Sequence, residues 1–125
     1  MIEEKIKYET AILAANKGFN EIQKYCYDPL CLEPNNLYNW FEEYNCSTKE
    51  RIRRLISAPT QAFLQKWLRD EHKLHICVFI TPTGFCYSLF CISQSEPNYK
   101  TYEDALEDGL KCALENIKNL NTNAE

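Results

Sequence analysis

Along residues 57–92, SAPTQAFLQKWLRDEHKLHICVFITPTGFCYSLFCI, the apolar positions change from a spacing of three and four to a spacing of two. That change predicts an amphipathic helix running directly into a β-hairpin. In the helix, Leu64, Trp67, Leu68 and Glu71 share one face, with Thr60 and Gln61 leading in; Ala62, Gln65, Lys66 and Arg69 form the wet face. Ser57 or Ala58 serves as N-cap, and Pro59 fits the first turn because an N–H there has no helical partner. Trp67 reads as a core anchor. His72 closes the helix, where a histidine gains from the dipole and the last carbonyls.

Pro82-Thr83-Gly84 suits a three-residue connection in which Pro opens a type I turn and Gly takes the left-handed bulge position. That loop sets Phe79 opposite Tyr87, Cys77 opposite Leu89 and His75 opposite Cys91. The other face pairs Ile80 with Cys86, Val78 with Ser88, Ile76 with Phe90 and Leu74 with Ile92, and this more aliphatic face is assigned to the core.

A third periodic stretch closes the chain. Thr101 and Asp104 resemble a capping box. Tyr102, Ala105, Leu106, Leu110, Ala113, Leu114 and Ile117 make one apolar stripe. Gly109 interrupts it at a cost of about 1 kcal/mol relative to Ala, which a close approach of helix to sheet would explain. The tail, 121–125, is expected to fray.

The N-terminal half is patterned less sharply. ETAILAANK (9–17) predicts a short helix with Thr10 as N-cap, Ile12, Leu13 and Asn16 at helical spacing, and Gly18 in the left-handed position after it. NEIQKYCYD alternates weakly and reads as a strand ending at Pro29, and LYNWF (37–41) as another. Residues 28–56 are otherwise expected to be irregular. The predicted fold is α+β: a single two-layer domain over residues 1–125, in the order α-β-β-α-β-β-α, with an antiparallel sheet and helices mainly on one face.

At 125 residues, 45% of them apolar, the chain can bury a core without staples. Its apolar runs are short of the ~20 residues a spanning helix needs, and MIEEKIKYE lacks the apolar centre of a secretory signal; a soluble cytoplasmic protein with no membrane association is expected. Seven cysteines, an odd number without CxxC spacing, predict reduced thiols packed as small hydrophobes. The net charge of −4 is unevenly spread. Lys49, Arg51, Arg53, Arg54, Lys66, Arg69 and Lys73 form a basic segment between an acidic one at 21–48 and another at 101–125. Either these segments neutralise one another in the fold, or Arg51, Arg53, Arg54, Lys66 and Arg69 form an anion-binding or nucleic-acid-binding patch. The pI near 5.3 and the lack of a reading motif weigh against the second.

Two further sets of residues carry candidate chemistry. The hairpin register sets His75, Cys77 and Cys91 on one face, within reach of a thiolate–imidazole pair or a soft metal, though without a fourth zinc ligand or an oxyanion loop. Ordinary packing is the simpler reading, and no cofactor is expected. Glu103, Asp104, Glu107 and Asp108 read as a solvated helix start rather than a cation site. The tyrosines (Tyr8, Tyr25, Tyr27, Tyr38, Tyr44, Tyr87, Tyr99, Tyr102) are compatible with an interaction surface.

SAPTQAFLQKWLRDEH, the hairpin after it, TYEDALEDGLKCAL (101–114) and LAANKGF (13–19) together resemble a family of small uncharacterised proteins encoded by phages, prophages and gut Bacteroidetes. In that family a helix of the type S-x-P-T/S-Q-x-x-L-Q-K-W-L-R precedes strands and a closing Y-E-E-A-L-x-x-G-L helix. The resemblance touches about half the chain and carries over no functional residue. It implies a mobile-element or commensal-bacterial origin. The expected function is a non-enzymatic accessory or interaction protein, self-associating or bound to a protein partner; the alternatives are nucleic-acid association through 49–69 and a Cys/His metal or hydrolytic site.

Overall fold

A computed structural model describes residues 5–21, 23–46, 48–90 and 92–117; Ile22, Cys91 and the tail 121–125, for which expectations were stated above, lie outside them. The fold is α+β. Helix α1 (Tyr8–Asn16) is followed by strands β1 (Tyr25–Tyr27) and β2 (Tyr38–Asn39), then the short helices α2 (Trp40–Cys46) and α3 (Lys49–Arg54). Strand β3 (Ile56–Ser57) leads into helix α4 (Gln61–His72). The hairpin β4 (Ile76–Thr81) and β5 (Gly84–Leu89), strand β6 (Ser93–Gln94) and helix α5 (Tyr102–Glu115) complete the chain.

The strands form two antiparallel three-stranded sheets, β2-β1-β3 and β4-β5-β6, where the sequence led us to expect one. The first sheet is made of strands two or three residues long, too short to give a period-two signal. The 28–56 stretch is also more ordered than expected, because two side-chain caps start helices in it. Asn39 Oδ1 accepts the Glu42 N–H at 3.2 Å at the start of α2, and Thr48 Oγ1 accepts the Arg51 N–H at 3.2 Å at the start of α3.

Two helix starts differ from expectation, each at a threonine. In α4 it is Thr60, not Ser57 or Ala58, that accepts the Phe63 N–H, while Ser57 pairs with Cys26 across β3 and β1. In α1 the cap position is Lys7, and Thr10 is buried one turn inside. Thr101 does cap α5, accepting the Asp104 N–H at 3.0 Å, and Gly18 does adopt a positive φ, +103°.

Buried Leu64 and Leu68 of α4, Leu106, Leu110, Ala113 and Leu114 of α5, Ala11 and Ala14 of α1, and Ile76 and Leu89 of the hairpin form one core. Trp67 is half-buried, its ring 5.1 Å from buried Phe19 and 4.7 Å from His72. Helix α5 packs on β4 and β5, and Gly109 faces them with no room for a side chain. A Cβ there would come to 3.0 Å from Ile76 Cγ2 and 3.1 Å from the Tyr87 ring.

The hairpin turn has two residues, not three: Thr81 faces Gly84. The register is therefore one residue from the expected one, and Ile76 pairs with Leu89, Val78 with Tyr87, Phe79 with Cys86 and Cys77 with Ser88. Because side chains alternate, a one-residue slip inverts a whole strand. β4 keeps its assigned face, with Ile76 inward, but β5 turns Leu89 and Tyr87 to the core instead of Phe90 and Ser88.

Gly84 fixes this turn. Its φ is +142°, and a Cβ would lie 2.9 Å from Tyr99 O and 3.1 Å from Pro97 O, both backbone atoms with little room to yield. Gly84→Ala is expected to lose about 2 kcal/mol, the cost of a side chain in a glycine-only backbone region plus the contact with those carbonyls. Urea denaturation with unchanged m-value would measure it.

Candidate functional site

The basic segment resolves into residues with different tasks. Arg51 and Arg54, three apart on α3, share a helix face and converge on Asp28, which is completely buried just after β1. Arg54 grips the carboxylate with two nitrogens, Nε to Oδ1 at 2.8 Å and Nη2 to Oδ2 at 2.9 Å. Arg51 Nε reaches Oδ2 at 2.7 Å, and the Leu30 N–H donates to Oδ1 at 3.0 Å. The Arg54 hydrogen bonds, with those from Arg51 and Leu30, hold the Asp28 carboxyl well below the usual carboxylate range against the opposing effect of burial. Arg51 also pairs with Glu43 and lies over the Tyr38 ring, 4.9 Å from its centre.

Thus two of the five candidate anion-binding residues serve as internal counter-charges to the acidic segment at 21–48. Lys66 pairs with Asp70 one turn along α4. Arg53 and Arg69 are exposed. Buried Cys26, beside the same node, has its thiol pushed up to about 11 by burial, so it is a poor nucleophile.

A second polar node joins three helices. Glu107 is 4% exposed, although the acidic start of α5 was expected to be solvated throughout. Its Oε2 accepts the Lys7 N–H at 2.8 Å and the Thr10 hydroxyl at 2.5 Å. Its Oε1 accepts Gln61 Nε2 at 2.9 Å, and the same amide donates to Glu103 O at 3.0 Å. Residues 103 and 104, one turn earlier, are exposed. Glu107 differs because it lies one turn further along α5 on the same face, under the start of α1, where free N–H groups favour an acidic side chain. A cleft lined in part by Lys7, Asp104, Glu107, Asp108 and Lys111 opens beside it, but all of the Glu107 contacts just described are made within the protein. Nearby, Tyr99 donates to Asp108 Oδ2 at 2.7 Å, and burial with that hydrogen bond raises its pKa above the ordinary phenol range.

The pairing expected to gather His75, Cys77 and Cys91 is not the one observed. The Phe90 N–H donates to His75 O at 2.9 Å, so Phe90 stands opposite His75, and Ser88 stands opposite Cys77. Cys91 lies outside the described residues. His75 and Cys77 are both exposed, and no group of three His, Cys, Asp or Glu side chains among the described residues is arranged to hold a metal.

The hairpin instead presents apolar side chains to solvent. Phe79 is 39%, Ile80 69%, Phe90 68% and Ile92 50% exposed. The sequence contained these residues, but the register error placed Phe90 and Ile92 in the core, and Ile80, also assigned to the core face, is exposed near the hairpin turn although β4 keeps that face. The Asp28 and Glu107 nodes were missed for another reason: apart from the Leu30 N–H, their partners are 23 to 100 residues away in the chain, and no local pattern announces them. Among the described residues no helix is long and apolar enough to cross a membrane. Set beside known proteins, the chain matches no family model, no curated protein and no solved structure.

Proposed function

We propose that this chain is a non-enzymatic interaction protein of phage or mobile-element type, working in the cytoplasm and binding a protein partner through its β4–β5 hairpin. The observation that carries the reading is the exposure of Phe79 and Ile80 on β4 and of Phe90 and Ile92 just after β5, since large apolar side chains left in water mark interaction sites. Its supporting counterpart is internal: Arg51, Arg54 and Glu107, three of the polar side chains that the sequence offered for chemistry, are hydrogen-bonded within the fold, the two arginines to Asp28. Arg51 and Arg54 face Asp28, which also favours the counter-charge reading of the basic segment over a phosphate-binding one.

The test is retention on immobilised protein. The wild type is expected to hold one defined protein from a bacterial host lysate near 1:1, and that protein, once purified, to bind in solution. Phe90→Ser with Ile92→Ser should abolish the binding while leaving the circular dichroism spectrum unchanged. Binding that survives the double variant, or salt-dependent retention of the chain on generic DNA in its place, would overturn the reading.

A further inference from the structure

The outer edge of β4 is the one feature of the hairpin that its own sheet leaves open. In an antiparallel pair, alternate residues direct their N–H and C=O towards the neighbour, and the rest direct them away. The Phe90–His75 bond shows that odd-numbered β4 residues face β5. Val78 and Ile80 therefore direct their backbone groups outward. The far side of β5 is closed: Phe85 exchanges both bonds with Tyr99, at 2.8 and 3.1 Å, and Tyr87 bonds the Ser95 backbone and hydroxyl. Among the described residues, no strand pairs with the outer side of β4. Its first outward carbonyl, Ile76 O, is occupied by Gln65 Nε2 at 2.9 Å.

We propose that two copies of this chain pair antiparallel along β4, about a two-fold axis at Phe79, joining their second sheets into one six-stranded sheet. This deepens the interaction reading above by naming a second copy as the occupant of the β4 edge.

The edge is complementary to itself in this register. Val78 and Ile80 of one copy meet Ile80 and Val78 of the other, and their four outward N–H groups find four outward carbonyls. Ile76, whose carbonyl is already taken, falls opposite Pro82, which has no N–H to give. The two exposed Phe79 rings meet at the axis as a non-hydrogen-bonded pair, where side chains come closest.

Charge permits the same contact. Residues 74–82 hold no Lys, Arg, Asp or Glu in a chain of net charge −4, so this edge is where two copies approach without repulsion. The flanking Lys73 residues are carried to opposite ends, about 40 Å apart and well beyond the Debye length of about 8 Å. An apolar edge lacking a charged gatekeeper is the kind that recruits another strand.

The native thiol at Cys77 makes the register testable. The axis at Phe79 sets Cys77 opposite Thr81 of the second copy, about 4.5 Å between Cα atoms, inside disulfide range. Within one chain, residues 77 and 81 are four apart along a strand, about 13 Å, and cannot join. Thr81→Cys is expected to give a covalent dimer under oxidised glutathione, whereas wild type and Cys77→Ser/Thr81→Cys stay uncrosslinked. By sedimentation velocity the wild type should dimerise reversibly in the micromolar range, as suits an interface below the standard size. Ile80→Lys, at a position 69% exposed, should weaken association at least tenfold with unchanged melting. A wild type still monomeric at about 1 mM, where a pair of micromolar Kd is almost wholly dimeric, would overturn the pairing. So would a dimer indifferent to Ile80→Lys, or cross-linking that survives loss of Cys77. A monomer that still binds a protein through Phe90 and Ile92 would overturn only the pairing and leave the broader reading standing.

Discussion

Glu107→Ala is expected to lower stability by about 3 kcal/mol, the sum of three donors left without an acceptor at about 1 kcal/mol each. Those donors are the Lys7 N–H, the Thr10 hydroxyl and the Gln61 amide, and this one side chain ties the start of α1 and the start of α4 to α5. Glu107→Gln isolates the hydrogen-bonding requirement from the loss of bulk. Its oxygen can still face Lys7 and Thr10, but its own amide then opposes Gln61 Nε2. Gln61 cannot turn over to accept without giving up Glu103 O. The glutamine variant should therefore lose about 1–2 kcal/mol. Thermal unfolding would report the alanine change as a drop of about 10 °C; an alanine variant as stable as wild type would remove Glu107 from the set of fold-determining residues.

Asp28→Ala is expected to cost a similar amount, about 3 kcal/mol. Removing one partner of a fully buried ion pair costs about 3–5 kcal/mol; here the lower end applies because the Arg51 and Arg54 side chains are 23% and 35% exposed and keep some water. The node also makes stability depend on pH in one direction. The Asp28 carboxyl in the folded protein titrates below its unfolded value, which is about 3.9. Its contribution is therefore fully present above that unfolded value, and declines as pH falls below it towards the folded one. Wild type should lose stability between about pH 4 and pH 2 more steeply than Asp28→Asn does. Parallel acid profiles for the two proteins would contradict this.

The parts of the fold legible in the sequence are those whose period repeats over several turns. α4 and α5 were located from their apolar stripes, and the α5 stripe is buried as expected from Ala105 to Leu114. Gly109 was read as a close approach, and the 3.0 Å distance to Ile76 accounts for it. The first sheet was not legible as such, because strands of two or three residues offer no alternation to detect. The hairpin was found, but its turn was misjudged. Pro82-Thr83-Gly84 fits a three-residue loop as well as a two-residue one, and only the contact of Gly84 with the Pro97 and Tyr99 carbonyls decides between them. Long-range contacts of that kind leave no mark on local sequence. The same holds for the candidate site: the basic run was visible, but its division between Asp28 and solvent depended on where α3 came to rest.

A hairpin tip is commonly the loosest part of a sheet, yet this one is moored. Thr83 Oγ1 donates to Pro97 O at 3.1 Å, Thr81 Oγ1 to Gly84 O at 2.8 Å, and the Phe85 N–H to Tyr99 O at 2.8 Å. The segment leading into α5 thus acts as a brace for the ribbon. Phe79 and Ile80, two of its greasiest outward side chains, are held on a stiff prong, so less conformational freedom is lost when a neighbour docks against them.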